Sequence, residues 1–365
     1  MLKINNTLCA LRYLGPLLAL MLLPTTVGHT ETISESAPMA RTTTTKPNKP
    51  APNKPVKGPL PLAKEKLKLV ALEQAPFPYS GKDPETGKPF HDVVQGARRG
   101  HTSARGGLHW ERATYSDKRS LLYMPQGFDV TQPALIVVYF HGNQSELLRD
   151  VRDRQQVPRQ LAESGMNAAL IAPQFAVDAL DSSAGRFWQK GQFARYIREA
   201  TAQLSILHGD PRAHLALNKA PILLVAYSGG YHPAAYAASH GGLTKRLLGM
   251  FLLDAPFGDE AMIADWVATK KTDGIFVSTY SGAARGYNQL LRLLLKEREV
   301  KSRATLPIYF HPGTVALVDT GDDVNHMNFV TDAWTTNPLT SLLSRVKGFT
   351  RMPEPMASDR KSTGP

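Results

Sequence analysis

Ser228 stands in "AYSGGYH", directly after the apolar run "PILLV" and before the helix-like "PAAYAASH". A hydroxyl is a weak nucleophile. It needs exposure, a base within hydrogen-bond reach, and donors for the oxyanion it creates. A sharp turn from strand to helix supplies the exposure. It also sets the following backbone N–H groups at a helix N-terminus, where negative charge is favoured. Such a turn brings strand and helix close together, so the residues two before and two after the serine must be small. Ala226 and Gly230 meet that demand, and Gly229 leaves the approach open. The same letters also spell an ordinary N-cap and turn.

The elements around this serine decide between the two. "ALIVVYFHG", "NAALIAPQ", "PILLVAY", "LLGMFLLDA", "DGIFVSTY" and "GTVALVDTG" are apolar runs of strand length. Strands without polar alternation imply a sheet covered on both faces. "LHWERATYSD" and "RSLLYMP" read as a hairpin with its turn at residues 116–118, an antiparallel edge. Helical patterns fill the intervals: "SELLRDVRDRQQVPRQLAES" with a break at Pro158, "GQFARYIREATAQLSIL", "GYHPAAYAASH", "DEAMIADWVAT", "GYNQLLRLLLKER" and a closing "NFVTDAWTTNPLTSLLSRV". Alternating strands and helices predict an α/β fold, a mostly parallel twisted sheet of about eight strands with helices on both faces.

"AYSGG" resembles the nucleophile elbow of the α/β-hydrolase superfamily, G-x-S-x-G, with alanine for the first glycine. The resemblance spans most of residues 109–345. It implies a serine hydrolase with Ser228 as nucleophile. "YFHGN" matches the loop after the third strand that commonly gives one oxyanion-hole N–H. Gly142 or Asn143 would be that donor and Gly229 the other. His326, in "DTGDDVNHMNFV" after the last strand, occupies the place of the superfamily's general base. His232 and His311 are its rivals. The acid usually follows the seventh strand, but "SGAARG" there holds no carboxylate. Asp254, ending "LLDAP", fits a variant position used by some members. Asp322 and Asp323 are nearer to His326 along the chain.

Loops at the carboxyl ends of strands form the ligand crevice of an α/β sheet. On that ground Arg186, Phe187, Trp188, Tyr280 and Arg285 are candidates to line it, with Arg186 suited to an acidic substrate group. "FPYSGKDPETGKPF" and "RRGHTSARGG" read as a strap, a lid or a surface turn. No HExxH, EF-hand spacing or cysteine site appears, and no dinucleotide fingerprint opens a helix, so neither metal nor cofactor is expected.

The ends read differently. Lys3 and Arg12 precede "YLGPLLALMLL", too short to span a bilayer comfortably and suited to a signal peptide. Residues 1–30 are read as that signal, or as an uncleaved anchor, and the protein as periplasmic or secreted. Cys9 is the only cysteine and lies inside this segment. Residues 31–66, rich in Pro, Thr and Lys, cannot bury enough surface to offset their ordering entropy and are read as a disordered tether. Its stretch from Arg41 to Lys66 alone carries a net +6, half of the formal charge of +12, so the basicity does not mark a nucleic-acid-binding face. It suits weak contact with anionic membrane or cell wall. Residues 67–345 form the hydrolase-like domain and 346–365 a disordered tail. Two functions are open: an exported hydrolase acting on a small-molecule or cell-envelope ester or amide, or a catalytically silent module of the same fold tethered at the envelope.

Overall fold

The structure is a computed structural model, and it describes residues 64–351. The expected signal peptide, most of the tether and most of the tail lie outside the described residues. The strands are β1 (Lys66–Ala71), β2 (Val93–Gln95), β3 (Arg98–Thr102), β4 (Leu108–Trp110), β5 (Arg119–Met124), β6 (Leu135–Phe140), β7 (Ala168–Pro173), β8 (Ile222–Tyr227), β9 (Leu247–Leu253), β10 (Ile275–Tyr280) and β11 (Thr314–Asp319). The helices are α1 (Glu111–Thr114), α2 (Val157–Glu163), α3 (Gln192–His208), α4 (Ala213–Lys219), α5 (Tyr231–His240), α6 (Glu260–Thr269), α7 (Gly282–Glu297) and α8 (Pro338–Leu343).

Eight strands make one sheet in the order β1-β5-β7-β6-β8-β9-β10-β11. β5 is antiparallel to both of its neighbours, and the other pairs are parallel. This is an eight-stranded, mostly parallel sheet flanked by helices. Side chains alternate across each strand. In β8, Ile222, Leu224 and Ala226 enter the core layer beneath α3 to α7, whereas Leu223, Val225 and Tyr227 enter the layer beneath α2 and α8. Both faces are thus dry, which is why these strands show no polar alternation. Each fully buried Leu, Ile or Val contributes about 1.5–3 kcal/mol relative to exposure.

The connections diverge at the middle of the sheet. From β6 the chain crosses to β7 on one side, and from β8 it moves to β9 on the other. β6 and β8 are neighbours, so their carboxyl ends flank a switch point, where α/β sheets bind ligands. Residues 141–143 leave β6 there, and Ser228 leaves β8.

Several expectations need correction. The antiparallel edge is not a hairpin of residues 108–124. β5 pairs with β1 in unbroken register, Lys66 opposite Met124 and Ala71 opposite Arg119. β4 instead joins β2 and β3 in a separate three-stranded sheet, because the chain turns helical at α1. The domain therefore starts within the presumed tether, and Lys66 Nζ is fixed on the Leu207 and His208 carbonyls (2.9 and 2.6 Å). It also runs past residue 345. The Phe349 carbonyl accepts from the Asn167 N–H (2.5 Å), and Arg351 N–H donates to the Gly165 carbonyl (2.9 Å). The helix read across residues 145–164 is two pieces, a π-helix at Leu147–Arg154 and then α2, parted at Gln156 with φ 52°. Pro158 sits in the first turn of α2, where its missing N–H costs nothing. The closing helix is only α8, with Asn337 at φ 55° before Pro338. Among the described residues, no helix is long and apolar enough to cross a membrane.

Candidate active site

β8 ends at Tyr227, and the chain turns at once through Ser228–Gly230 into α5. Ser228 adopts φ +51°, a left-handed conformation that costs a non-glycine residue roughly 1–3 kcal/mol and persists only where its surroundings enforce it. Gly230 shows what enforces it. A Cβ there would fall inside van der Waals contact with the Phe140 carbonyl oxygen at the end of β6. Gly142 meets the elbow from the other side, and a Cβ on it would lie 2.9 Å from Ser228 Cβ. The serine is thus pinched between two backbone segments that tolerate no side chain.

The structure brings Ser228, His326 and Asp254 together. Ser228 Oγ lies 2.8 Å from His326 Nε2, and His326 Nδ1 lies 2.6 Å from Asp254 Oδ2. Asp254 is fully buried. A buried carboxylate is tolerable only when hydrogen-bonded. Here Ser281 donates to Oδ1 from both its N–H (2.7 Å) and its hydroxyl (2.9 Å). The imidazole is clasped between two rings. Tyr227 stacks on it at 5.3 Å and 27°, and Phe257 stands edge-on at 5.9 Å and 80°. The Tyr227 hydroxyl also donates to the His326 carbonyl (2.7 Å). Burial holds that phenol in its neutral form by raising its pKa, so it remains a donor.

The loop after β6 is locked by His141. Its Nε2 accepts from the Phe175 N–H (2.9 Å), so the proton sits on Nδ1, which donates to the Gly142 carbonyl (2.8 Å). Burial pushes the His141 pKa down, and the ring stays neutral. In a trans peptide the C=O and the next N–H point in opposite directions. Holding the Gly142 carbonyl therefore fixes the direction of the Asn143 N–H. Asn143 also reaches the elbow by its side chain, whose Oδ1 accepts from Ser182 Oγ (3.1 Å) beside Gly229.

The other candidates lie elsewhere. Asp322 is exposed and paired with Arg285 (2.8 Å), which also holds Asp319 (2.6 Å). Asp323 is exposed as well. His311 is exposed just before β11, at the amino end of a strand. His232 sits on α5 between two partners. It accepts at Nε2 from Trp188 Nε1 (3.0 Å) and faces Asp259 from Nδ1 (2.7 Å). An indole N–H only donates, so the His232 proton is on Nδ1. With Glu85, His232 and Asp259 form a group close enough to surround a cation, but neither ring nitrogen of His232 has a lone pair to spare. Arg186 does not face a ligand. It donates to the Pro78 carbonyl (2.9 Å) and the Glu73 carbonyl (2.5 Å), so it ties down the segment before β2. Phe187 is fully buried, and Tyr280 is buried in the core beside α7, because β10 lies between two neighbours and is covered on both faces.

Trp188 does line a cleft, of about 420 Å³, with Ser182, Tyr231, His232 and Arg105. It reaches the elbow through Ser182 and Tyr231. Its other wall is the segment around residues 83–92 with the end of β3 and the turn after it. Sequence reasoning gave Arg105, Tyr227 and Ser281 no role; only the pair of glycines after Arg105 marked a tight turn there.

No family model matches the chain, and no curated protein matches it. Solved structures similar to it include the feruloyl esterase module of Clostridium thermocellum (11% identity, TM-score 0.40, covering 74% of this chain and 97% of that one). An S-formylglutathione hydrolase from Agrobacterium tumefaciens is 15% identical with TM-score 0.39, covering 68% and 94%. A ferulic acid esterase from Anaeromyces mucronatus is 11% identical with TM-score 0.36, covering 75% and 98%. Likenesses this distant carry nothing further, and the fold rests on the strand order itself.

Proposed function

We propose that the protein is an exported serine hydrolase that cleaves an ester or amide through an acyl-enzyme. The observation that carries this reading is the unbroken relay from Ser228 Oγ to His326 Nε2 and from His326 Nδ1 to Asp254. Ser228 Oγ attacks the substrate carbonyl carbon and passes its proton to His326 Nε2. Asp254 keeps the ring in the tautomer that can accept that proton, and steadies the imidazolium. Gly229 N–H, with the N–H groups of Gly142 or Asn143, stabilises the oxyanion. As the C–O or C–N bond breaks, His326 returns the proton to the leaving alcohol or amine. Water then attacks the acyl-enzyme with the same histidine as base, releasing the acid and restoring Ser228. The apolar segment after Lys3 and Arg12 supports export, and the basic segment after it supports a site of action at the cell envelope.

Labelling with a fluorophosphonate probe tests this directly. Wild type is expected to label at one residue, Ser228, and Ser228→Ala to lose both the label and at least about a thousandfold in kcat on a para-nitrophenyl ester. Folded wild-type protein that takes no label would instead indicate a silent module.

A further inference from the structure

We propose that Arg105 anchors a carboxylate on the substrate; this rests on the serine-hydrolase reading and names its substrate class. Arg105 lies on the turn between β3 and β4. That turn is braced. Gly106 N–H donates to the Ser103 carbonyl (2.9 Å), Arg105 N–H to Ser103 Oγ (3.1 Å), and Ser103 Oγ to the Leu180 carbonyl (2.6 Å). The bond to Leu180 ties the turn to the loop that carries Ser182 against the elbow. The side chain is therefore presented from a fixed base.

Its position places it at the reaction centre's rim. The guanidinium carbon lies 5.6 Å from the Phe257 ring centre, and the same ring packs on His326. The charge and the imidazole thus share one aromatic neighbour. Arg105 also reaches the Tyr231 hydroxyl, which itself donates to the Phe257 carbonyl (2.8 Å). Tyr231 opens α5, three residues after Ser228.

The charge is unspent. Arg99, Arg119, Arg149, Arg285 and Arg298 each face a carboxylate. Among the described residues, no carboxylate lies within ion-pair distance of Arg105. Three of the four acids lining the same cleft accept hydrogen bonds. Asp83 accepts from the Glu85 and Thr86 N–H groups, Asp92 from the Thr102 N–H, and Asp181 from Tyr115 and Ser183. Glu85 is left, exposed, beside His232 and Asp259. A guanidinium is a rigid fork of donors matched to a carboxylate. Held over a cleft that runs to Ser182 and Tyr231 at the elbow, with no carboxylate partner, it selects a substrate that brings its own anion.

The test compares esters matched except for charge. On the acyl side these are para-nitrophenyl hexanoate, the para-nitrophenyl half-ester of adipic acid, and a trimethylammonium-tipped hexanoate. On the alcohol side they are phenyl acetate and carboxyphenyl acetate. Wild type is expected to prefer the anionic ester of at least one pair in kcat/KM, mainly through KM, and less so at high salt. Arg105→Met is expected to lower that anionic-to-neutral ratio by about ten- to a hundredfold, and Arg105→Lys by less. A ratio cancels any loss from poorer folding. The proposal is overturned by no anionic preference in either pair, by a preference for the cationic ester, or by a ratio that Arg105→Met leaves unmoved. Turnover of none of the esters while a fluorophosphonate still labels Ser228 also overturns it and leaves the hydrolase reading standing. An unlabelled Ser228 removes both.

Discussion

His326 is the residue on which the site depends, and it is an exposed-loop histidine made rigid by its neighbours. Its side chain is 35% exposed, so packing alone does not fix it. Asp254, Ser228, the Tyr227 stack and the Tyr227 hydroxyl do. Tyr227→Phe keeps the stack and deletes only the bond to the His326 carbonyl. A neutral hydrogen bond is worth about 0.5–1.5 kcal/mol, so kcat should fall by about three- to tenfold with KM nearly unchanged. Steady-state kinetics that show the loss in KM instead would contradict a positioning role. At this scale the sequence was informative where local spacing carries the chemistry. A serine between small residues at a strand end is visible in the letters, and so is a histidine in the last loop. Ser281, Tyr227 and Arg105 were not visible. Their roles arise only when β10 brings Ser281 beside Asp254, when the ring after Ala226 meets a loop nearly a hundred positions on, and when a distant hairpin folds over the elbow.

Among the elements, the elbow and the loop after β6 work as one unit because their backbones touch. Gly230→Ala should test that directly. The added methyl meets the Phe140 carbonyl, a backbone atom that cannot swing aside. Overpacking of this kind typically costs about 1–3 kcal/mol. Chemical denaturation should show that loss together with a fall in kcat, because moving the end of β6 moves His141 and the Asn143 N–H. A variant as stable and active as wild type would mean the two segments have room to part. The buried strands were legible because a sheet covered on both faces leaves few polar residues in its centre. β1 was not. Its "KLKLVA" alternates as a half-exposed edge strand must, but Lys66 read as the end of the basic tether. The β2-β3-β4 sheet was also missed, since its strands are only three to five residues long.

For the whole molecule, acid should weaken the fold in a defined window. Burial is the main cause that lowers the pKa of His91, His141 and His208 below the usual histidine value of 6.5. The unfolded chain then binds more protons than the folded one between those values, so stability rises with pH there. It is fully present above about pH 6.5 and is lost as the pH falls toward the folded values. Carboxylates held low, such as Asp92, Asp150 and Asp319, add a further loss only in stronger acid. The urea midpoint should therefore drop between pH 7 and pH 5; a flat profile across that interval would show that these rings are not shielded. The ends of the described chain carry a different consequence. Lys66 begins β1 opposite Met124, and residues 349–351 pair with the stretch just before β7, so entry and exit both lie at the amino edge of the sheet. Ser228 opens at the carboxyl edge. Anything joined to either end of residues 64–351 would therefore meet the edge opposite Ser228 and leave the approach to the nucleophile uncovered.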